Sequence, residues 1–203
     1  MIHSGDLTYR GDIKEIATEL NKLSKLQHEH IVLINGNHDW LGERNPSLMR
    51  QMCEDKGIIY LQHESVQIEG LNIFGSAFTP EFCSWAFNVP RGQALKDKWD
   101  LIPDNTDILV THGGPYSILD ACPDGRKVGC EELYKRVMEL KSLKLHVFGH
   151  IHHSRGMIKI NETTFINASN CDERYKTTNK PFVISINSDI VNKEEINNGL
   201  ENS

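Results

Sequence analysis

The sequence predicts an α/β domain with mixed strands, and three observations support this class. An amphipathic helix is predicted over residues 12–26, because apolar side chains recur there at helical spacing. Short apolar, β-branched runs such as residues 31–34 are typical of buried strands. Several of these runs end in a polar turn that contains glycine, and ligands of layered α/β proteins bind where strands end. The sequence therefore predicts the fold class and also the edge of the sheet where a site would lie.

The order of the elements follows from the same patterns. The first helix begins at Asp12, which together with Glu15 resembles a capping box with Asp in place of Ser or Thr. A second helix has Pro46 at its first position and Gly57 after its end. Residues 76–98 are predicted to form a long loop, a kind of segment that is often functional. The other predicted elements are strands over 31–34, 58–61, 65–68, 71–74, 108–110 and 145–148, helices over 46–56 and 129–143, and two or three strands up to residue 186.

Composition limits the class of protein. The chain has 203 residues, of which 38% are hydrophobic and 25% charged, and these values suit one domain with a hydrophobic core. We predict this domain over residues 1–186 and a polar tail over residues 187–203. The net charge of −6 argues against a nucleic-acid partner. No apolar run approaches the roughly 20 residues that cross a membrane, so no membrane association is expected. Five cysteines without a C-x-x-C pair favour a reduced, cytoplasmic protein.

Side chains with metal-binding chemistry follow the predicted strands. They are Asp6, Asn37, His38, His112, His150 and His152. A mixture of carboxylate, amide and imidazole ligands suits Mn, Fe, Zn, Co or Ni better than Ca or Mg. His150 and His152 would point to the same side if their segment were extended. The pattern predicts a transition-metal site at the ends of the strands.

Short motifs recur in a fixed order along the chain. They are Gly5-Asp6, Gly36-Asn37-His38-Asp39, Thr111-His112-Gly113 and Gly149-His150-Ile151-His152. In order and spacing they resemble the motifs of the calcineurin-like metallophosphoesterases, over residues 1 to about 186. Segments 85–92, 98–103 and 164–169 are similar to a metallophosphoesterase-domain-containing subgroup related to nucleotide phosphodiesterases. The resemblance implies a four-layer α/β/β/α sandwich.

The resemblance also implies which residues bind metal. Asp6 would bridge two ions, and Asn37, His112 and His150 would complete one metal site. His152 would belong to the other metal site. Some animal members of the subgroup carry glycine where this chain has His150, a replacement linked with weakened metal use, and that defect is absent here. Mn²⁺ is the expected ion, with Fe, Zn, Co and Ni as alternatives.

The resemblance assigns the chemistry to His38 and Asp39. His38 would stand beside the phosphate and protonate the leaving oxygen or stabilise the transition state. Asp39 would orient His38 through a hydrogen bond. Water activated by the metal ions would attack phosphorus in line, without a covalent enzyme intermediate.

One family motif has no match in this sequence. A D-x-H motif normally lies on a strand before Gly5 and Asp6, and the sequence contains no such motif there. The fold is therefore expected to lack the first strand, and the second metal site would retain Asp6 and His152 only. Two protein ligands seldom hold a transition metal tightly. Two ions are expected in an intact relative, and one ion is the alternative for this chain.

The predicted loop over residues 76–98 contains candidate substrate contacts. Trp85, Phe87, Asn88 and Arg91 either line a substrate wall, with a ring stacked on a base and the guanidinium on phosphate, or pack within their own loop. Asn37 and His38 are expected to contact the substrate as well. Structural or surface roles are expected for His28, His30, His63, His146 and His153, and solvent exposure for Asp120, Asp124 and Arg126.

The resemblance of these motifs to the family implies metal-dependent hydrolysis of a small phosphorylated substrate. The subgroup resemblance implies a phosphodiester, including cyclic nucleotides or nucleotide-like esters. Two alternatives stay open. The chain could be a catalytically weak nucleotide- or metal-binding protein, because the D-x-H ligands are missing. It could also act as a phosphomonoesterase or protein phosphatase.

Overall fold

A computed structural model describes residues 1–187 and 190–193 of the chain. In chain order the strands are β1 (Ile2–Ser4), β2 (Val32–Ile34), β3 (Ile59–Tyr60), β4 (Glu64–Ile68), β5 (Leu71–Ser76), β6 (Thr79–Pro80), β7 (Asn88–Val89), β8 (Ile108–Thr111), β9 (Leu145–Phe148), β10 (Gly156–Ile160), β11 (Thr163–Asn167), β12 (Ile184–Asn187) and β13 (Ile190–Lys193). The helices are α1 (Ile13–Leu23), α2 (Trp40–Arg44), α3 (Pro46–Glu54), α4 (Gln93–Trp99) and α5 (Glu131–Glu139), with a 3-10 turn over His152–Ser154. Within the described residues, none of these helices is both long and apolar enough to span a membrane.

Two main sheets carry the architecture. Strands β1, β2 and β3 form a parallel sheet in that order. The second sheet has the order β10-β11-β9-β8-β5-β4, with its four central strands parallel and its two outer strands antiparallel to their neighbours. The remaining pairs are the short parallel pair β6-β7 and the antiparallel hairpin β12-β13. Sheets of parallel strands are normally covered on both faces, and both main sheets meet this condition.

Three hydrophobic clusters show how the layers stack. Ile34 and Val110 belong to the cluster between the two sheets. Ile16 and Met49 belong to a second cluster, where α1 and α3 cover the outer face of the three-stranded sheet. Trp99 belongs to the third, where α4 and α5 cover the outer face of the six-stranded sheet. The layer order is therefore α/β/β/α, and the predicted four-layer sandwich is confirmed.

The carboxyl ends of four strands meet at one edge of this sandwich. β1 and β2 end side by side, because Ser4 is paired with Ile34. β8 and β9 also lie side by side, with Val110 paired with Val147. The residues that follow these strands are Gly5 and Asp6, the turn from Asn35 to Asp39, His112, and Gly149 and His150. The fold thus brings the motif residues of both sheets to one place.

Helix α1 has the predicted start but not the predicted capping box. The Asp12 carboxylate accepts hydrogen bonds from the backbone N–H groups of Lys14 and Glu15, at 2.9 and 3.0 Å. The Glu15 carboxylate does not return to the N–H of Asp12. It accepts instead from the backbone N–H groups of Tyr9 and Arg10, at 2.6 and 2.9 Å. Glu15 therefore holds the loop between Asp6 and the helix, which includes Tyr9.

The prediction of a long loop over residues 76–98 is wrong in part. The segment contains β6, β7 and most of helix α4. Leu95 and Trp99 lie four residues apart on α4 and are almost fully buried, so they anchor this helix in the core. Helix α4 has only seven residues, which is too short for apolar side chains to show a helical period in the sequence. Pro90 and Gly92, just before it, are residues typical of loops. Helix α2 was not predicted either, and α5 is shorter than expected at both ends.

The predicted tail lies mostly outside the described residues. Asn187 ends β12, and Ile190–Lys193 form β13, which pairs with β12. Residues 188–189 and 194–203 lie outside the described residues. The proposed boundary at residue 186 stays a prediction.

His146 is buried in the middle of β9 and makes one hydrogen bond. The Thr111 hydroxyl donates to the Gly113 carbonyl at 2.7 Å, so it accepts from His146 Nε2–H at 2.8 Å. The other ring nitrogen, Nδ1, has no partner among the described residues. A proton on Nδ1 would place a charge in the core without an acceptor, and burial lowers the pKa of His146 to about 3.

Acid is therefore expected to destabilise the fold through His146. Its folded-state pKa lies below the unfolded value near 6.5, so its protonation favours unfolding as pH falls from about 6.5 toward 3. Between about pH 7 and pH 5 the loss would be about 2 kcal/mol of unfolding free energy. Urea titrations of the wild type and of His146→Leu measure this loss, since leucine does not titrate. Equal losses in both proteins would show that His146 is not the acid-sensitive group.

Candidate active site

Four predicted metal ligands converge at the edge where the strands end. Oxygen and nitrogen atoms of Asp6, His112 and His150 lie within 4.8 Å of one another. His112 Nε2 is 3.2 Å from Asp6 Oδ2 and 2.9 Å from Asn37 Oδ1. Asp6 and Asn37 come from the three-stranded sheet, and the two histidines from the six-stranded sheet. The fold therefore brings together all four residues predicted for the first metal site.

The hydrogen bonds of His112 indicate what this group of atoms needs. His112 Nδ1 is 3.0 Å from the Ser4 carbonyl, which accepts only, so Nδ1 carries the hydrogen. In the neutral ring, Nε2 then directs a lone pair at the oxygens of Asp6 and Asn37. Three electron-rich atoms facing one another require a cation or a proton between them. The donor set of carboxylate, amide oxygen and imidazole fits a divalent transition metal.

The titration behaviour of the pair Asp6 and His112 has the same origin. Burial alone would raise the pKa of the Asp6 carboxyl, but the charge of His112 and its hydrogen bond hold that pKa below its ordinary value. Burial would lower the pKa of His112, and Asp6 more than offsets this, so the pKa is raised. Burial, followed by the charge of His112, lowers the pKa of His150 to about 3. A neutral His150 is the form that can bind a metal.

Close backbone approach makes glycine necessary in the turns of the site. Gly36 lies directly against Asp6, and a Cβ atom there would also come within 2.6 Å of His112 Cε1. Gly5 has φ +92°, a value that L side chains rarely adopt. Asp6 and His150 themselves have positive φ, 53° and 68°. Such left-handed non-glycine residues are strained and often occur at functional sites.

His38 stands beside the ligand group and is held by the backbone. Its Nδ1 donates to the Tyr9 carbonyl at 2.8 Å, and its backbone N–H donates to Asp6 Oδ1 at 3.0 Å. Its ring contacts the ring of Trp85, with centroids 4.4 Å apart. With Nδ1 occupied, Nε2 is the nitrogen available to a bound molecule.

The predicted role of Asp39 as the partner of the His38 ring is wrong. The buried Asp39 carboxylate accepts hydrogen bonds from the N–H groups of Leu7, Thr8 and Gly36, at 3.2, 3.0 and 2.8 Å. It also accepts from the Thr8 hydroxyl at 2.7 Å. The Tyr9 carbonyl takes the place that was predicted for Asp39. Asp39 instead ties the loop after β1 to the turn after β2, and these two segments supply Asp6 and Asn37.

His152 faces the same cleft but lies outside the ligand group. Its Nδ1 donates to the Asp172 carbonyl at 2.8 Å, so Nε2 is again the free nitrogen. His152 belongs to none of the groups of three or more potential ligands found in the described part of the chain. Its assignment to a second metal site stays a prediction.

A cleft of about 550 Å³ opens over these residues. Trp85 and Arg91 line it, as the substrate-wall interpretation predicts. The Arg91 guanidinium donates to the carbonyls of Val128 and Gly129, each at 2.8 Å, and to Glu131 at 2.5 Å. Arg91 therefore shapes the cleft wall with a charge that is already paired.

For Phe87 and Asn88 the structure favours the second alternative, packing within their own loop. Phe87 is only 4% exposed and belongs to a small core cluster with Ala77 and Ala86. The Asn88 side chain accepts from the Thr79 hydroxyl at 3.1 Å and donates to the Phe82 carbonyl at 2.6 Å. Both residues support the loop from inside, and neither is among the residues that line the cleft.

Several cleft residues were missed in the sequence. The ring centroids of Phe82 and His150 are 5.1 Å apart, and those of Tyr175 and His152 are 5.4 Å apart. Both line the cleft, as does Arg126, which is exposed but paired with Asp124 at 2.6 Å. The sequence signal for Phe82 was its place in the same loop as Trp85. Tyr175 carries no comparable signal, because no motif precedes it.

The expectation of solvent exposure is also wrong for Asp120. Its carboxylate is buried and accepts from the N–H groups of Ser117 and Gly129, each at 2.9 Å. Asp120 thus fixes the loop that carries Arg126 to the cleft. His146 is structural, as expected, and His153 bonds Glu173 at 3.1 Å at the rim of the cleft.

Comparison with known proteins identifies the family of this chain. The family model described as calcineurin-like phosphoesterase matches residues 1–154, which include all the candidate metal ligands. The chain belongs to this family. Calcineurin-like phosphoesterases use divalent metal ions, and the converging side chains of Asp6, His112 and His150, with Asn37 beside His112, suit that requirement. The identity of the metal is a separate question.

Individual relatives support the same assignment. The chain is 38% identical to metallophosphoesterase domain-containing protein 1 of Homo sapiens over 92% of its length, covering 64% of that protein. It is 32% identical to a UPF0046 protein of Caenorhabditis elegans over 92% of its length, covering 54% of that protein. The chain thus spans less than two thirds of the length of these relatives.

A solved structure shares the fold. The phosphopantetheinyl hydrolase PptH of Mycobacterium tuberculosis is similar over 100% of this chain and 87% of its own, with a TM-score of 0.59. At 13% sequence identity, this likeness concerns the fold alone.

Proposed function

We propose that the chain is a metal-dependent hydrolase of phosphodiesters. The observation that carries this proposal is the convergence of Asp6, Asn37 and His112 on one cation position directly beside His38. A cation at that position can bind a phosphate oxygen, and His38 can reach another oxygen of the same phosphate. Family membership supports the reaction class.

Each residue has a distinct part in the proposed reaction. Asp6, Asn37, His112 and His150 would hold a metal ion, for which we propose Mn²⁺ because the ligands mix oxygen and nitrogen. When bound, such an ion polarises the phosphate and lowers the pKa of water. His152 directs Nε2 into the cleft, where it would serve a second ion.

His38 would act on the leaving oxygen. The Tyr9 carbonyl keeps the proton on Nδ1 and so directs Nε2 at the bound molecule. From there a protonated His38 can donate to the leaving oxygen and neutralise the charge that develops on it. The hydrogen bond from the His38 N–H to Asp6 keeps the imidazole in register with the metal ligands.

The charges in the cleft favour a diester over a monoester. A monoester carries a second negative charge that requires additional cations. The arginines that line the cleft within the described residues, Arg91 and Arg126, are already paired with Glu131 and Asp124. The wall also contains the carboxylates of Glu81 and Glu173. A phosphodiester with one negative charge suits this surface better.

The test is hydrolysis of a matched pair of substrates. We expect higher kcat/KM for bis-p-nitrophenyl phosphate than for p-nitrophenyl phosphate in the presence of Mn²⁺, because the described lining of the cleft offers no unpaired arginine or lysine for the dianion. Removal of the metal with a chelator should abolish hydrolysis, and added Mn²⁺ should restore it. A clear preference for the monoester would overturn the diester assignment, and chelator-resistant hydrolysis would overturn the metal assignment.

A second function is favoured by the isolation of His152. Because His152 joins no group of potential ligands in the described part of the chain, a second ion would depend on Asp6 and His152. In this case the chain would bind one metal and a phosphate-containing ligand, with feeble turnover. Elemental analysis of the purified chain separates the two functions. About two ions per chain favour the hydrolase, and about one favours the binding protein.

We also propose that the protein resides in the cytoplasm and acts on a small phosphorylated molecule, such as a nucleotide. All five cysteines are free thiols, a state that suits a reducing compartment. The nucleotide rests on the aromatic side chains of the cleft, which can stack on a base.

A further inference from the structure

Three aromatic rings surround His38 at the cleft. Trp85 lies with its ring centroid 4.4 Å from the imidazole, Tyr9 at 5.8 Å and Tyr175 at 5.9 Å. Tyr9 and Tyr175 also meet each other edge to face at 5.7 Å. These rings come from three separate segments: the loop after β1, the loop between β6 and β7, and the loop after β11. We call Tyr9, Trp85 and Tyr175 the aromatic subsite.

The loop of Tyr175 is built to hold this ring in place. The Asp172 carboxylate accepts from the N–H groups of Arg174 and Lys176, at 2.8 and 3.0 Å. The Asp172 carbonyl accepts from His152 Nδ1, which ties the loop to the metal end of the cleft. Tyr175 has φ 59°, a conformation that is unfavourable for a residue other than glycine. The local structure therefore maintains a strained residue at this position.

The ring of Tyr175 nevertheless remains open to solvent. It is 55% exposed, and Tyr9 is 57% exposed, although both belong to a tight aromatic group. Exposed aromatic rings beside a cleft retain apolar area that a ligand can cover. Tyr175 also lines the cleft together with Trp85.

We propose that the aromatic subsite binds a planar ring carried by the leaving alcohol, and that Tyr175 determines the preference for such a ring. This inference rests on the proposed function, because it uses the role of His38. If His38 donates to the leaving oxygen, the group attached to that oxygen lies next to the rings around His38. A nucleoside base or an aryl group fits there, since each presents a flat face for stacking.

Paired phosphinates test the inference without turnover. Benzyl(methyl)phosphinate and ethyl(methyl)phosphinate each carry one negative charge, as a phosphodiester does, and have C–P bonds that the reaction does not cleave, but only the first has a ring. Calorimetric titration of the Mn²⁺-loaded protein should give about 10-fold tighter binding of benzyl(methyl)phosphinate, a gain typical of a planar ring stacked on one aromatic side chain. Tyr175→Leu should remove most of this preference and leave the affinity for ethyl(methyl)phosphinate unchanged.

Two further variants make the test specific. Tyr175→Phe keeps the ring and should keep the preference. Tyr134→Leu makes the same change at a half-exposed tyrosine on α5 that does not line the cleft, and it should have no effect. Equal affinities of the wild type for both phosphinates, or an unchanged preference in Tyr175→Leu, would overturn the inference and leave the proposed function standing. Failure of both phosphinates to bind the wild type would contradict the proposed function and the inference together.

Discussion

Asp6→Asn is expected to reduce metal affinity by more than about 100-fold and to abolish phosphodiester hydrolysis. Replacing a partner that only orients a ligand typically costs 10–100-fold, and Asp6 would itself bind the ion. Asparagine keeps the shape of the aspartate side chain and one of its oxygens, but it removes the negative charge that attracts the cation. Asp6 Oδ1 also accepts from the His38 N–H, an interaction that the asparagine oxygen can preserve. A loss of metal affinity in Asp6→Asn would therefore result mainly from the missing negative charge and less from a change in geometry.

Metal content and activity should be measured separately for this variant. Titration of metal into the chelator-treated protein gives the affinity, and bis-p-nitrophenyl phosphate gives the activity. Asp55→Asn is the matched control, because it makes the same chemical change at an exposed residue at the end of α3, outside the cleft. Wild-type metal affinity in Asp6→Asn would exclude Asp6 as a ligand.

His38→Ala is expected to lower kcat by about 10²- to 10⁴-fold while metal content is unchanged, as is typical for loss of a general acid. His38 belongs to none of the groups of potential metal ligands in the described residues, and its Nδ1 is occupied by the Tyr9 carbonyl, so its loss should leave metal binding intact. The loss should grow with the pKa of the leaving alcohol, because a poor leaving group depends more on protonation.

A series of aryl phosphodiesters with different leaving groups tests this dependence. His28→Ala, at an exposed histidine in the loop after α1, is the matched control and should leave the series unchanged. A uniform loss across the series would assign His38 to charge stabilisation in place of proton donation. Loss of metal in His38→Ala would refute both roles.

The positions of the metal ligands could be predicted from sequence because local chemistry determines them. Strands with buried apolar residues end at Ile34, Thr111 and Phe148, the half-buried strand β1 ends at Ser4, and each is followed by a turn that contains glycine. Parallel pairing then brings the turns together. The resemblance of the motifs to the family supplied the assignment of Asp6, Asn37, His112 and His150 to one site, and parallel strand order explains why the fold brings them together.

The errors arise where distant segments meet. The hydrogen-bond partner of His38 Nδ1 is the backbone carbonyl of Tyr9. Every residue has such a carbonyl, so no residue type in the sequence indicates which one is used. The positive φ of Cys83, Ser84 and Phe87 changes the course of their loop, so that Phe87 points into the core. Tyr175 reaches His38 through a loop far along the chain, and no local pattern predicts such a contact. These features depend on tertiary structure.

Three imidazoles of the site share one structural feature with a consequence for evolution. His38, His112 and His152 each donate Nδ1–H to a main-chain carbonyl, of Tyr9, Ser4 and Asp172 respectively. A main-chain carbonyl persists whatever side chain occupies its residue, and it does not titrate. The side chains of Tyr9, Ser4 and Asp172 can therefore be substituted without changing the tautomer of the imidazole that each carbonyl holds. Relatives can diversify the walls of the cleft, including Tyr9, while the same nitrogen of each histidine continues to face the reaction.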